Sequence, residues 1–230
     1  MLLNDEMKKA RQILFMTGAG VSTASGIPDY RSKNGLYSKK ENPEYLLSRT
    51  CLLENPELFY NFVTHKMYYP DAQPNIIHQK IAEATKKENA FVITQNVDGL
   101  HTAAGAENIL EFHGSLKRVY CQKCRQKVAY QDYLRSMYHE NCGGILRPDI
   151  ILYEEKITPK IIEKAIAFVS KADLIIVCGT SLRVYPFAGL LEYRNKSAKL
   201  VAINREKLQM PIGSTQLITD ASKIFAQLSF

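Results

Sequence analysis

Thr17 to Arg31 reads T-G-A-G-V-S-T-A-S-G-I-P-D-Y-R, and the fold turns on how that stretch is taken. It follows the short apolar run Ile13 to Met16, which has the length and composition of a buried strand. Gly18 and Gly20, one residue apart, allow a tight turn and a close backbone approach to a ligand. The small residues Val21 to Ser25 are expected to open a helix whose first N–H groups face back toward that ligand. Strand, glycine turn and helix N-terminus together make a phosphate cradle. The common dinucleotide fingerprint wants a third glycine three residues after the second, and Thr23 stands there. Gly18-Ala19-Gly20 alone therefore also fits a plain strand-to-helix turn. Gly26 to Arg31 is less ordinary, since a Gly-Ile-Pro turn and the triplet Asp29-Tyr30-Arg31 describe a second ligand-facing loop.

The chain's 230 residues can bury a sizeable core as one domain or a two-lobed unit. The formal net charge is +7, with Lys and Arg scattered rather than blocked. That pattern reads as a solvated basic surface suited to an anionic cofactor, with no signature of specific nucleic-acid binding. No apolar run approaches membrane-spanning length, and Met1 to Arg11 is charged and helix-prone without the apolar core of a signal peptide. A cytoplasmic location without a membrane partner is the expectation. The five cysteines are an odd number, and Cys121, Cys124 and Cys142 cluster, which in that compartment points to metal rather than disulfides.

Strand patterns at Phe91–Thr94, Ile109–Phe112, Leu174–Cys178 and Lys199–Ile203 alternate with helical patterns at 75–87, 159–170 and 187–194. The β-branched runs belong at the centre of a parallel sheet, and the alternation predicts an α/β doubly wound arrangement. Residues 38–74 carry two further helical patterns, 43–53 and 56–68, each opened by a proline, and are expected to form an insertion on one side. Ser32 to Tyr37, polar with an Asn-Gly turn, is expected to be a mobile lid. His78 falls near the apolar stripe of its helix and reads as a hydrogen-bonded core histidine.

Chemistry-bearing residues gather at strand ends. Gln95, Asn96, Val97 and Asp98 follow the strand Phe91–Thr94, where open α/β sheets bind ligands. An Asp-Gly turn explains Asp98 and Gly99 but leaves Gln95 and Asn96 unexplained. His113, in Glu111-Phe112-His113-Gly114, follows the next strand and has the ordinary pKa of a general base. Gly179, Thr180 and Ser181 follow another strand and Asn204 the next, small polar residues that suit the adenosine half of a dinucleotide. Cys121-x2-Cys124 and His139-x2-Cys142, 14 residues apart, have the spacing of a tetrahedral zinc site. A degenerate, metal-free module is the competing reading. Cys178, in an apolar strand, reads as inert core.

In order along the chain, these motifs resemble the signatures of the sirtuins, the NAD-dependent protein deacylases, in the prokaryotic short-chain form. Tyr30 stands where most sirtuins carry phenylalanine, and His139 where they usually carry a third cysteine. The resemblance implies a Rossmann-like doubly wound sheet with a smaller helical plus zinc-ribbon lobe. The large lobe would span about 1–37, 88–116 and 148–230, and the small lobe about 38–87 and 117–147. It implies NAD as co-substrate, a structural Zn²⁺ on Cys121, Cys124, His139 and Cys142, and an acyl-lysine protein or peptide as partner. NAD would be held by Gly18, Ala19, Gly20, Thr23, Asp29, Tyr30, Arg31, Gln95, Asn96, Val97, Asp98 and His113. Gly179, Thr180, Ser181, Asn204 and Asp220 would take its adenosine side. His113 would be the general base, with Asn96 and Asp98 holding ribose and nicotinamide in a reactive pose. The segment Arg147 to Glu155 resembles the family's peptide-pairing strand, with Glu154 where a glycine is usual. Phe62 and His65 align with positions that are tyrosine and arginine in members preferring acidic acyl groups, which implies a neutral acyl group here. An ADP-ribosyltransferase or NAD hydrolase on the same fold, and a non-catalytic NAD-binding module, are the alternatives.

Overall fold

The structure, a computed structural model, describes residues 2–29, 42–87 and 89–229. Tyr30, Arg31 and the expected lid at Ser32–Tyr37 lie outside the described residues. In chain order the chain forms α1 (Leu2–Lys9), β1 (Ile13–Thr17), α2 (Pro43–Leu46), α3 (Arg49–Glu54), α4 (Pro56–Lys66) and α5 (Ile76–Thr85). Next come β2 (Ala90–Thr94), α6 (Leu100–Ala103), β3 (Ile109–Glu111), β4 (Gly114–Cys121), β5 (Lys127–Val128), α7 (Tyr130–Arg135) and β6 (Leu146–Ile150). The last are α8 (Pro159–Lys171), β7 (Leu174–Cys178), β8 (Lys199–Asn204), β9 (Thr215–Ile218) and α9 (Ala221–Phe225).

Six strands form one parallel sheet in the order β3-β2-β1-β7-β8-β9. Chain order leaves β1 in two directions, toward β2 and toward β7, so β1 marks the topological switch point. In such sheets the crevice beyond the carboxyl ends at this point is the ligand site. Register makes the ends level: Thr17 lies beside both Thr94 and Cys178, Thr94 beside Glu111, and Cys178 beside Ile203. The next residues along each strand are Gly18, Gln95, Phe112, Gly179 and Asn204. The expected motifs thus leave the sheet on one edge.

Alternate strand residues serve opposite faces. Ile13, Phe15, Val92 and Ile176 pack with Leu3, Ile77, Ile81 and Phe225 on one side. Leu14, Met16, Ile93 and Val177 pack with Ala165, Val169, Phe187 and Leu191 on the other. Every residue of β1 and β7 is buried, which is why both read as unbroken apolar runs. A third apolar cluster lies apart from these two. It joins Cys51, Phe59, Phe62 and Val63 to Val119, Tyr133, Leu146 and Leu152. It is built on the small antiparallel sheet β5-β4-β6.

Some expectations shift. The helix expected over 43–53 is two helices, α2 and α3. Leu47 O accepts from Tyr153 N (3.0 Å) and Ser48 bridges Tyr153 as a strand partner, which takes this backbone out of the helix. Ser48 Oγ then caps α3 by accepting from Cys51 N (2.9 Å). No α-helix starts at Val21–Ser25. Ala19–Val21 and Thr23–Ser25 are two 3-10 turns, and the second ends at Gly26 with φ +84°. Thr23 Oγ1 donates back to Gly20 O (2.9 Å), so the side chain competes with helix propagation. The helix expected over 187–194 is a 3-10 segment, Ala188–Tyr193, with Gly189 as its second residue. Helix α5, expected with the insertion, packs Ile77, Ile81 and Ala84 on the large sheet.

Candidate active site

A cleft of about 1080 Å³ opens over the carboxyl edge of the large sheet. Gly18, Ala19, Gly20, Thr23 and Asp29 line it from the loop after β1. Gln95, Asn96 and Val97 enter after β2 and His113 after β3. Gly179, Thr180 and Ser181 enter after β7, Asn204 ends β8, and Asp220 caps α9. Asp98 faces a small adjoining hollow beside Ala19, Ser22 and Asn96. Tyr30 and Arg31 are outside the described residues.

Close packing of two glycine loops sets the floor. Gly20 N donates to Gly179 O at 2.7 Å. A Cβ on Gly20 would sit 2.8 Å from the Cα of Gly179, and one on Gly179 would sit 2.5 Å from Val21 N. Gly179 also has φ +60°, so neither position admits a larger residue without moving the other loop. Gln95 Nε2 crosses to Thr180 Oγ1 (2.8 Å), joining the β2 and β7 ends.

His113 Nδ1 lies 3.2 Å from the carbonyl oxygen of Gln95. A carbonyl only accepts, so Nδ1 carries the proton and Nε2 keeps its lone pair. Burial lowers the pKa of this imidazole, partly opposed by the bond to Gln95. It is therefore neutral at physiological pH and able to take a proton at Nε2. The turn after β2 thus sets the tautomer of the candidate base.

Beneath Asn96 and Asp98 is a buried polar network. Ser22 Oγ donates to Asp98 Oδ2 at 2.7 Å and accepts from Asn96 Nδ2 at 3.1 Å. Asp98 Oδ1 accepts from Leu100 N (2.8 Å). His78 Nε2 lies 3.4 Å from the same Ser22 oxygen, and His78 Nδ1 accepts from Asn75 N (3.3 Å). Since the hydroxyl proton of Ser22 goes to Asp98, His78 must present Nε2–H to it. Burial pushes His78 down to about 4, against the pull of Asp98. His101, stacked edge-on against His78, bonds Thr17 Oγ1 (3.0 Å), and burial, followed by His78, holds it well below its ordinary value. Ser22 and Asn75 carry no role in the sequence reading, whereas His78 is the hydrogen-bonded core histidine it expected.

The second wall of the cleft is Ile151 to Lys156. Ile151 N donates to the His113 carbonyl (2.9 Å), which ties this segment to the candidate base. Buried Arg147 makes a two-pronged pair with Glu155, Nη1 to Oε1 at 2.7 Å and Nη2 to Oε2 at 3.1 Å. Leu152 N also donates to Glu155 Oε2 (3.0 Å). Leu47 and Met67 line the cleft from the helical side. Phe62 is buried in the third cluster, and His65, which bonds Asn61 O through Nδ1 (2.9 Å), is exposed. Neither is among the lining residues.

Cys121, Cys124, His139 and Cys142 converge, with one ligand atom from each lying within 4.8 Å of the others. The contacts are 3.5 Å for Cys121 Sγ–Cys142 Sγ and 3.3 Å for Cys124 Sγ–His139 Nδ1. Tetrahedral Zn²⁺ with bonds of about 2.0–2.3 Å needs ligand separations of roughly 3.3–3.8 Å. The cluster fits a structural zinc with His139 offering Nδ1, and its four donors leave no open position. Gly144 allows the approach: a Cβ there would lie 2.5 Å from Cys121 Sγ. The cluster sits on β4 and the loops around β5 and β6.

Among the described residues no helix is long and apolar enough to cross a membrane. Comparison with known proteins agrees with the geometry. A chain from Listeria monocytogenes serotype 4b (strain F2365), named NAD-dependent protein deacetylase, is 52% identical over 226 residues, covering 98% of this chain and 99% of that protein. A protein of the same name from Lactiplantibacillus plantarum is 52% identical over 219 residues, covering 95% and 94%. A solved Sir2 structure with deacetylated p53 peptide and 3'-O-acetyl ADP-ribose superposes with a TM-score of 0.90 at 31% identity, covering 98% of this chain and 95% of that one. A Sir2 structure with p53 peptide and NAD+ gives 0.86 at 31% identity, covering 98% and 95%. The Sir2 family model matches residues 18–186, from the first glycine of the opening motif to the loop beyond β7, and the chain belongs to that family.

Proposed function

We propose that this chain is an NAD-dependent protein lysine deacetylase, releasing nicotinamide, the free lysine and O-acyl-ADP-ribose. The observation that carries the reading is His113, neutral, with its tautomer set by Gln95 O, at the cleft that also holds Gln95 and Asn96. Relatives named NAD-dependent protein deacetylase and a Sir2 structure with acetyl-ADP-ribose and deacetylated peptide support it.

In this reading, Gly18, Ala19, Gly20, Thr23, Asp29, Tyr30 and Arg31 hold the pyrophosphate and nicotinamide side. Gln95, Asn96, Val97 and Asp98 hold the nicotinamide ribose and carboxamide. Gly179, Thr180, Ser181, Asn204 and Asp220 take the adenosine. Bound NAD supplies the electrophilic ribose and the acceptor for the acyl group. His113 Nε2 takes the proton that a ribose hydroxyl gives up. Asp98, fixed by Ser22 and Leu100, orients the leaving amide.

The peptide would add as a strand along Ile151–Glu154, and the acyl group would lie toward Leu47 and Met67. That apolar lining supports a neutral acyl group. The residues divide into a cofactor lobe and a smaller lobe holding α2–α4 and the zinc module. The separate third apolar cluster supports the division, and the packing of α5 on the large sheet supports counting that helix with the cofactor lobe. A cytoplasmic setting agrees with the charged α1.

Mass spectrometry of the chain with NAD and an acetyl-lysine peptide tests the reading. Expected are a peptide lighter by one acetyl group, nicotinamide and acetyl-ADP-ribose. Nicotinamide with unmodified peptide would move the reaction to an NAD hydrolase, and ADP-ribose attached to protein would move it to a transferase.

A further inference from the structure

Glu154 occupies the wall of the cleft in a left-handed backbone conformation, φ +71°, that favours glycine. Its carboxylate is not idle. Oε2 accepts from Thr50 N at 3.0 Å and from Thr50 Oγ1 at 2.7 Å, 104 positions away in the chain. Thr50 is in the first turn of α3, where backbone N–H groups have no partner within the helix. That first turn has no acidic residue of its own, so Glu154 brings the acceptor from across the cleft wall.

Two backbone bonds run beside it. Tyr153 N donates to Leu47 O (3.0 Å) and Arg49 N donates to Tyr153 O (3.1 Å), forming the isolated parallel bridge Ser48–Tyr153. The join between the cleft wall and α3 is therefore short, and Glu154 closes its end. On the other flank, Arg147 and Glu155 hold Leu152. The wall is clamped at both ends, and the clamp at Glu154 is made by the residue with the unusual backbone.

We infer that Glu154 is a positioning residue for the peptide substrate: its bond to Thr50 holds the Ile151–Glu154 edge in the shape that accepts an added strand. The inference rests on the deacetylase reading above. It concerns the peptide side of the cleft, because Glu154 touches α3 and not the glycine loops that would hold NAD.

The test measures binding of a fluorescent acetyl-lysine peptide by anisotropy, together with KM for peptide and for NAD, in the full chain. Glu154→Ala and Glu154→Gly are expected to raise the peptide Kd and KM by roughly fivefold to tenfold, the loss of a hydrogen-bonded charged acceptor, with KM for NAD unchanged. Glu154→Gln, whose amide oxygen still accepts from Thr50, is expected to stay close to the parent chain. Normal peptide binding in Glu154→Gly with weak binding in Glu154→Ala would mean backbone strain, not the anchor, and would overturn the inference. So would a parallel rise in KM for NAD, which marks a general loss of structure. Peptide binding without turnover in the parent chain would sink the deacetylase reading while the binding comparison still decides the role of Glu154. No peptide binding by the parent chain would sink both.

Discussion

Ser22 Oγ donates to Asp98 Oδ2 at 2.7 Å, joining the loop after β1 to the turn after β2. The two residues are 76 positions apart. The same oxygen receives Asn96 Nδ2 and lies against His78 Nε2, so one hydroxyl holds three polar neighbours. Ser22→Ala leaves those neighbours short of a partner in a buried site. The expected cost is about 1–3 kcal/mol of stability and a drop in kcat of at least roughly tenfold, since an Asp98 displaced by a fraction of an ångström loses its orientation. Urea denaturation and steady-state kinetics on the same preparation check both. A variant with parental kcat would show that Asp98 does not depend on Ser22.

His113 gives a second prediction. Its pKa is lowered by burial, so the neutral, proton-accepting form persists below the ordinary histidine value of about 6.5. The acid limb of kcat/KM should then lie below pH 6.5, and His113→Ala should abolish acyl transfer while NAD binding persists. An acid limb above pH 6.5, or turnover in the variant, removes His113 as the base.

Stability should follow His78, His101 and His113 as a group. His78, His101 and His113 all have folded pKa values below the unfolded one, His78 at about 4. Above about pH 6.5 both states are neutral at these rings and the groups contribute no pH dependence. As pH falls below that, the unfolded chain takes up protons first, so stability is lost progressively down toward pH 4. Melting curves between pH 7.5 and pH 4.5 should show a steady fall in Tm, smaller in His78→Gln. A flat Tm across that window would contradict the buried, neutral placement.

Zinc should be measurable directly. Elemental analysis is expected to find one equivalent per chain, lost in Cys121→Ser and kept in His139→Cys, because a fourth thiolate also suits the tetrahedral set. Chelation should lower Tm, since the ligands tie the end of β4 and the β4–β5 loop to the loop before β6. A metal-free parent chain with an unchanged Tm would favour the degenerate module.

The pair Arg147–Glu155 carries a further expectation. Arg147 is buried and pairs Glu155, while also donating to Ile150 O (2.8 Å). Arg147→Met strands the half-buried carboxylate and is expected to destabilise by about 3 kcal/mol. Arg147→Met with Glu155→Gln should cost less than the sum of the single changes. Additivity in that double-mutant cycle would mean the two side chains do not act together.

Much of the fold was legible locally. β1 and β7 are buried on both faces, so they appear as bare apolar runs with no competing period. The motifs after them are short and lie next to the strand that carries them, which is why the glycine loop, the Gln95–Asp98 run and His113 could be named from residue order. Misreadings cluster where a distant segment decides. Leu47 and Ser48 sit in a helical pattern and leave the helix because Tyr153 pairs with them. Val21–Ser25 has helix-compatible residues, but Thr23 returns a bond to Gly20 O and Asn75, from another element, bonds Val21 O and Ser25 Oγ.

Residue order alone was enough for the parallel sheet, the strand-end motifs and the zinc ligands, because those signals are periodicity and spacing within a few residues. Only the tertiary structure decided that Ser22 supports Asp98 and that His78 must present Nε2–H. It also decided that Gln95 O sets the tautomer of His113, and that Glu154 reaches Thr50. Each of these is a hydrogen bond between segments far apart in the chain. Its existence depends on the register of parallel strands and the packing of loops beyond them, and no local pattern carries that information.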